Sequence, residues 1–360
     1  MKGGESMNLV RDETADNISR YRRWFRESID FWRDWQREAR EDYDFVRGKQ
    51  WSKEDKDRFA ESGRPAITIN RVKPLINILS GYQRLNRYDI EFLPRTNDDS
   101  QICQVRKGMT KYILDRSNYD NEESNAFLDC AIGGIGWLSV EYESDEVDGE
   151  AKVKRCDPFG MYVDPESHRD DFSDAKYICR AKWVDKDELK EIYPEHADEI
   201  DEQCAIYDSA ETELSRDRHL WYQRELQKLR LVECWYKQRE NETKITLANG
   251  EEIDGNQIPI EQMYQLQAQG AILDVKTAQV VKVYVASFFD GVLLENIPSP
   301  YEHGELPFVP VVCFYYGIGD DEIPAGIVRD LKDPQRELNR RRIQFLHILN
   351  TSSNGGGWIE

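Results

Sequence analysis

The sequence lacks the features of several large classes of protein. Its seven cysteines are odd in number, widely spread and never in C-x-x-C pairs or close to a histidine. This pattern is typical of reduced thiols in an intracellular protein and argues against a disulfide framework or a zinc site. No stretch approaches about eighteen consecutive apolar residues, so we expect no membrane span. The opening residues, MKGGESMNLVRDETADN, have no apolar core of a secretory signal.

Catalytic motifs are also missing. The sequence contains no GxxxxGK[ST] phosphate loop, no HExxH, no GxSxG and no Rossmann glycine fingerprint. The histidines are scattered, without a partner at metal-ligand spacing, at positions 168, 196, 219, 303 and 347. We therefore expect a protein that is not an enzyme and that holds no cofactor and no metal.

Two acidic stretches keep an alternative open. The sequence YYGIGDDEIP places Asp320 and Asp321 after an apolar run, as in the metal site of a polymerase. The residues that follow lead into a helix, however, and acidic side chains at a helix entry favour the helix dipole. Asp164 and Glu166, in YVDPES, are interpreted as a strand end and a turn. A metal-dependent nucleic-acid enzyme built on Asp164, Asp320 and Asp321 is the alternative hypothesis.

The composition indicates a large acidic protein. The chain has 360 residues, of which 39% are hydrophobic and 33% charged, and a net charge of -20. This length suffices for two or three domains. The acidity argues against a surface that grips nucleic acid through its phosphates, although DNA could still slide past such a surface.

The N-terminal part predicts one amphipathic helix. Asp16 is a candidate N-cap, and Gly48 is expected to end the helix. The apolar residues recur at helical spacing as Ile18, Tyr21, Phe25, Trp32, Trp35, Ala39 and Tyr43. We interpret this stripe as a packing face, because the polar face mixes acids and bases rather than carrying the basic residues of a membrane-surface helix.

The middle of the chain mixes helices with antiparallel strands, which predicts an α+β fold. Short strands are expected at Ile67–Ile69 and Tyr88–Leu93, with a helix over Val72–Tyr82 between them. Two further helices, around 103–116 and 121–131, lead through GGIGW into a hairpin made of WLSVEYES and AKVKRCDPFGMYVDP. The glycines of GGIGW run from helix to strand, which indicates a tight helix exit rather than a phosphate loop.

The following region is expected to be rich in strands. KYICRAKWV is predicted to form a strand, and Asp185 is expected to cap the helix KDELKEIY. Residues 197–217 are acidic with little periodicity, which predicts an exposed loop or a boundary. Two hairpins should turn at Asn249-Gly250 and at Asp290-Gly291, with a short helix at 260–269 between them.

The stretch GIVRDLKDPQRELNRRR predicts a long amphipathic helix. An apolar row should pack through Ile327, Leu331, Leu338, Phe345 and Leu349. Asp333-Pro334 either kinks the helix or marks its start. Three arginines lie off the row, and taken alone they would form a solvated helix face: Arg336, Arg340 and Arg341.

The ordered set of motifs resembles the portal proteins of tailed double-stranded DNA bacteriophages, of the short-tailed type. It consists of GKQW, GRPAITINRVKPLINILSGYQRLNRYDIEFLP, CAIGGIGWLSVEYE, CDPFGMYVDP and GIVRDLKDPQRELNRRR. The resemblance implies a head–tail connector: a structural ring, usually twelve-fold, at one capsid vertex of the virion, assembled in the host cytoplasm. DNA would pass weakly and non-specifically through its channel during packaging and ejection. The resemblance also implies that Arg336, Arg340 and Arg341 lie on a stem helix, where a neighbouring subunit or the passing DNA could meet them.

The same resemblance implies an organisation and partners. Residues 1–51 would form an N-terminal helical segment, 52–323 an α/β wing domain, and 324–360 a stem-type helix leading to a clip. Family members continue beyond this point, so most of the clip, later stem helices and crown are expected to be absent here. The implied partners are the terminase motor, tail or adaptor proteins, and the major capsid and scaffolding proteins. Another head–tail adaptor ring component is a second alternative, although adaptors are usually smaller.

Overall fold

The computed structural model describes residues 3–96, 99–143, 149–209, 219–247, 252–254, 272–301, 303–316 and 323–352. The chain divides into two compact units. Unit 1 contains Met1–Ser28, Tyr162–Ser167 and Ala175–Leu306, and unit 2 contains Ile29–Met161, His168–Asp174 and Pro307–Glu360.

The described residues form long helices and antiparallel strands. The main helices are α1 (Gly3–Arg47), α2 (Lys53–Glu61), α3 (Val72–Leu85), α4 (Ser100–Arg116), α5 (Tyr119–Gly133), α6 (Lys186–Ile192), α7 (Ala197–Ser209) and α8 (Ile327–Ser352). The strands are β1 (Ile135–Glu143), β2 (Glu150–Cys156), β3 (Met161–Val163), β4 (Tyr177–Asp185), β5 (Tyr222–Gln223), β6 (Lys228–Leu247), β7 (Glu252–Asp254), β8 (Ile272–Phe289), β9 (Val292–Pro298), β10 (Phe308–Val312), β11 (Phe314–Tyr316) and β12 (Ile323–Ala325). The predicted α+β class is confirmed.

Unit 1 is built on an antiparallel sheet in the order β3-β4-β6-β8-β9, with β5 and β7 also paired to β6. Asp290-Gly291 joins β8 to β9 as predicted, since Phe289 pairs with Val292. The first part of α1 supplies aromatic rings to this unit. Trp24 stacks on Tyr177 with ring centroids 4.8 Å apart, and Tyr21 and Phe25 are fully buried. Each such ring buries a large apolar area, so the first part of α1 contributes strongly to the core of this unit.

Unit 2 combines a three-stranded sheet, in the order β10-β1-β2, with helices. The predicted glycine exit from α5 is confirmed: Gly134 has φ +98° and donates its N–H to Cys130 O at 2.9 Å. A Cβ at Gly136 would lie 2.0 Å from Ala126 O, so only glycine allows β1 to approach α5 this closely.

The apolar core of unit 2 gathers residues from helices α1, α3, α5 and α8. Its buried members are Phe45, Val72, Ile76, Ala131, Ile132 and Val328. Leu331 of α8 packs against this core and is only partly exposed. The N-terminal end of α8 is thus anchored by ordinary hydrophobic burial.

Three local predictions from the sequence are wrong. Asp16 does not cap a helix, because α1 begins at Gly3 and continues through Asp16. Neither Ile67–Ile69 nor Tyr88–Leu93 forms a strand, although both have strand-like residues. Strand propensity needs a partner edge, and the described part of the chain offers them none.

The acidic segment at 197–217 was expected to be a loop. Its first part is instead helix α7, where Ile200, Cys204 and Tyr207 recur at helical spacing and are buried. Residues 228–247 form one continuous strand. The expected turn at Asn249-Gly250, the helix at 260–269, residues 210–217 and the aspartates at 320 and 321 lie outside the described residues.

Candidate assembly site on helix α8

Helix α8 turns a polar face towards the interior of unit 2. Besides Val328 and Ile343, its buried residues are Lys332, Gln335 and Asn339. The predicted apolar row is therefore only half right. Ile327 and Leu331 are partly buried, whereas the row's later members, Leu338, Phe345 and Leu349, are exposed.

Lys332 is held by three carboxylates from helix α1. Its side chain is only 6% exposed, and its Nζ lies 3.0 Å from Glu38 Oε2, 2.9 Å from Glu41 Oε2 and 2.9 Å from Asp42 Oδ1. Asp42 is fully buried. A buried ammonium without such partners would be strongly destabilising, so the contact fixes the position of α8 on α1.

Two arginines complete this cluster. Arg329 Nη2 lies 3.3 Å from Asp42 Oδ2. Arg336 forms an ion pair with Glu41, lies 3.0 Å from Asp333 and stacks over the ring of Phe45 at 4.9 Å. With Lys332, these arginines match the charges of the three α1 carboxylates, so the cluster carries no large excess of either sign.

The pKa values in the cluster reflect burial and ion pairing acting against each other. Burial alone would lower the pKa of Lys332, but hydrogen bonds to Glu41, Asp42 and Glu38 raise it above its ordinary value. Burial raises the pKa of Asp42 in spite of Lys332 and Arg329. For the more exposed Glu38, the hydrogen bond from Lys332 outweighs burial and lowers the pKa.

Gln335 and Asn339 fasten the segment before α3 to the helix. Gln335 accepts from the Arg71 N–H at 3.0 Å and donates to Ile69 O at 2.8 Å. Asn339 accepts from the Ile69 N–H at 3.0 Å and donates to Gln50 Oε1 at 2.7 Å. The backbone near Ile69, which was expected to pair as a strand, thus pairs with side-chain amides instead.

The outward side of α8 combines apolar and basic side chains. An open groove of about 530 Å³ is lined by Ile69, Arg71, Leu338, Arg341, Arg342 and Phe345. The Arg342 guanidinium lies over the Phe345 ring, 5.6 Å from its centroid. A mixed apolar and arginine surface is typical of protein interfaces, in which Arg and aromatic residues are enriched.

The three predicted arginines lie in different surroundings. Arg336 is half-buried and is neutralised by Glu41 of the same chain. Arg341 is exposed and pairs with Glu337 one turn earlier. Arg340 is exposed and lines a small cleft of about 210 Å³ together with Glu41, Asp44 and Trp51. Only Arg340 and Arg341 extend into solvent, so they are the better candidates for contacts with another molecule.

Sequence reasoning missed the buried polar face and two arginines of the groove, Arg71 and Arg342. Charged residues are rarely fully buried, so nothing in the spacing of Lys332 set it apart from a surface lysine. The sequence also left open whether Asp333-Pro334 kinks the helix or marks its start. Helix α8 begins at Ile327 and runs through Pro334, so Asp333-Pro334 does not mark its start.

The other candidate metal ligands either have hydrogen-bond partners within the chain or fall outside the described residues. Asp164 accepts backbone N–H groups from Glu166 and Lys176, both at 3.0 Å, which supports its interpretation as a turn residue. Within the described ranges, no group of three or more His, Cys, Asp and Glu is placed to hold a metal ion. In the same ranges, no helix has the length and apolarity that a bilayer crossing needs.

Comparison with known proteins decides the family. The sequence matches the phage P22-like portal protein family over residues 22–359. The chain belongs to this family. It is also 21% identical over 145 residues to a portal protein of Helicobacter pylori bacteriophage KHP30, an alignment that covers 40% of this chain and 24% of that relative. The aligned part of this portal-family chain thus corresponds to about a quarter of the relative's length, and the resemblance seen in the sequence is confirmed.

Proposed function

We propose that this chain is a subunit of the ring at the unique capsid vertex, the conduit through which the genome is packaged and ejected. The match to the P22-like portal family over residues 22–359 is the observation that carries this proposal. The exposed apolar and arginine face of α8 supports it, because a ring needs surfaces for neighbouring subunits.

The role is structural rather than catalytic. Helix α8 acts as the stem-type helix, residues 52–323 as the wing, and residues 1–51 as the N-terminal helical segment. The partners are other copies of the chain, usually twelve in a ring, the terminase motor, tail or adaptor proteins, and the capsid and scaffolding proteins. The protein is assembled in the host cytoplasm and resides in the virion.

Contact with DNA is weak and non-specific in this account. A conduit must let the duplex move, and tight phosphate contacts would stall it. The net charge of -20 favours repulsion along most of the surface. Each phosphate neutralised by a gripping site would steepen the dependence of log affinity on log salt by about 0.9. We expect a shallow slope for duplex binding.

Electron microscopy of the purified full chain tests the proposal. Rings with a central hole wide enough for duplex DNA are expected, together with a particle mass that is a multiple of the subunit mass. A strictly monomeric chain at micromolar concentration would contradict it.

A further inference from the structure

Helices α3 and α4 each leave an apolar stripe in solvent. On α3 the stripe consists of Leu75, Ile78, Tyr82 and Leu85, and on α4 of Ile102, Val105, Met109 and Tyr112. Both sets follow the spacing i, i+3, i+7, i+10, which places each set on one face of its helix. Such faces are normally buried, yet these side chains are 37% to 85% exposed, and α4 contains no buried residue.

The segment that connects the two helices, residues 86–96, has the same character. Tyr88 is 94% exposed and Leu93 is 82% exposed. The segment is nevertheless held in place: Arg87 Nη2 donates to Asp120 O at 2.7 Å, and Lys107 pairs with Glu91 at 2.5 Å. The residues 88–93 have the alternating pattern of a strand but no partner strand within the described chain. An anchored, strand-patterned and exposed segment is suited to pairing with another molecule.

We propose that the surface formed by α3, residues 86–96 and α4 docks a second copy of this chain in the ring. This surface, called the α3–α4 surface below, is distinct from the groove on α8. The inference rests on the proposed function, since it assigns one of the contacts through which subunits join.

The size of the surface suits a subunit contact. Nearly half of the large apolar side chains that are exposed in the described residues lie in residues 72–116, an eighth of the chain. Together they expose on the order of 1,000 Å², which is comparable with the roughly 800 Å² per partner of a standard protein interface. Apolar side chains exposed at this density are unusual on a surface that stays in water.

Charge favours another copy over an unrelated basic protein or DNA as the partner. Residues 72–116 contain eight Lys and Arg but five Asp and Glu, against 49 and 69 in the whole chain. Arg87 and Arg116 are paired with Asp120 and Glu150, which lie outside this segment, so the α3–α4 surface is close to neutral while the rest of the chain is strongly acidic. In a ring each subunit meets its neighbour through two different surfaces, so a nearly neutral apolar surface can face an acidic one without repulsion. The density of apolar side chains, rather than of Lys and Arg, argues against a phosphate-binding surface.

The test places one charge on the stripe and one beside it. Met109→Asp lies on the α4 stripe, and Gln104→Asp is the matched control, because it adds the same charge to the same helix about 120° away from the stripe. Tyr82→Asp repeats the test on α3. Assembly of the full chain is followed by sedimentation velocity, subunit stability by thermal melting of dilute protein, and duplex affinity by fluorescence anisotropy.

We expect Met109→Asp and Tyr82→Asp to raise the concentration needed for ring formation at least about tenfold, a loss of 1.4 kcal/mol or more. The melting temperature should stay unchanged, and Gln104→Asp should assemble like the wild type. Intact rings from both stripe variants would refute the inference while leaving the proposed function standing. So would intact rings that lose only duplex affinity, or a clear fall in melting temperature with assembly unchanged, which would place the stripe inside the subunit. A wild-type chain that forms no rings would contradict the proposed function itself.

Discussion

Helix α1 buries aromatic side chains, whereas helix α8 buries a lysine and two amides. Trp35 and Phe45 of α1 are almost fully buried, and so are Lys332 and Asn339 of α8. The two helices therefore use their apolar residues differently. Helix α1 buries its aromatic side chains within the chain. Helix α8 leaves Phe345 exposed, and ion pairs and hydrogen bonds fix its position.

The contrast teaches how a helix can be held without its apolar row. A polar buried face fixes α8 in one register, because each buried charge must meet its own partner. Its later apolar and arginine side chains remain exposed, and under the proposed function they are available to another molecule. A helix with the same apolar row buried inside the subunit would have no such surface to offer.

Removing a buried ring from α1 should have the largest effect on stability. Trp35 is buried, and its Nε1 donates to Gly133 O at 2.9 Å. Trp35→Ala should lower the free energy of unfolding by about 3–5 kcal/mol, since it leaves a cavity and an unpaired carbonyl. Denaturant unfolding measures this loss. Arg37→Ala, on the exposed face of the same helix, should change stability by less than about 0.5 kcal/mol.

Removing the buried charge from α8 should have a somewhat smaller effect. Lys332→Met keeps most of the side-chain volume but leaves Asp42 buried without its ammonium, so we expect a loss of about 3 kcal/mol. The double variant Lys332→Met/Asp42→Leu should recover much of this, because both buried charges are gone. If the single variant is as stable as the wild type, the polar face does not hold α8.

The smallest effect concerns pH. The pKa of Glu38 is lowered by the hydrogen bond from Lys332, so its ionised form stabilises the fold. This contribution is complete above the ordinary value of 4.5 and is lost as the pH falls through the lowered pKa. Glu38 is partly exposed, so Glu38→Gln should cost less than about 1 kcal/mol near neutral pH and nothing at low pH. In a Lys332→Met background, the pH-dependent difference should disappear.

The sequence predicted the parts of the fold that follow apolar periodicity. The α1 stripe, the β1–β2 hairpin, the turn at Asp290-Gly291 and the glycine exit after α5 were all found from spacing and turn chemistry. The family resemblance was also visible in the order of the motifs.

What the sequence could not predict depends on tertiary partners. Nothing local distinguishes Lys332 from Arg340, since burial of one and exposure of the other are decided by three acids nearly 300 residues away on α1. The strand pattern at 88–93 was correctly recognised as a pattern, but the pairing that it requires is not supplied by the described chain.

The central claim is that the outward face of α8 serves contacts between subunits rather than a grip on DNA. Arg340→Glu tests it most directly, because Arg340 is exposed and is not among the cations that hold α8 on α1. Ring formation and duplex affinity are measured separately on the same full chain. The account predicts weakened or less stable rings with little change in duplex affinity. Intact rings of normal stability with a large loss of duplex affinity would contradict it and would make α8 a DNA-gripping helix.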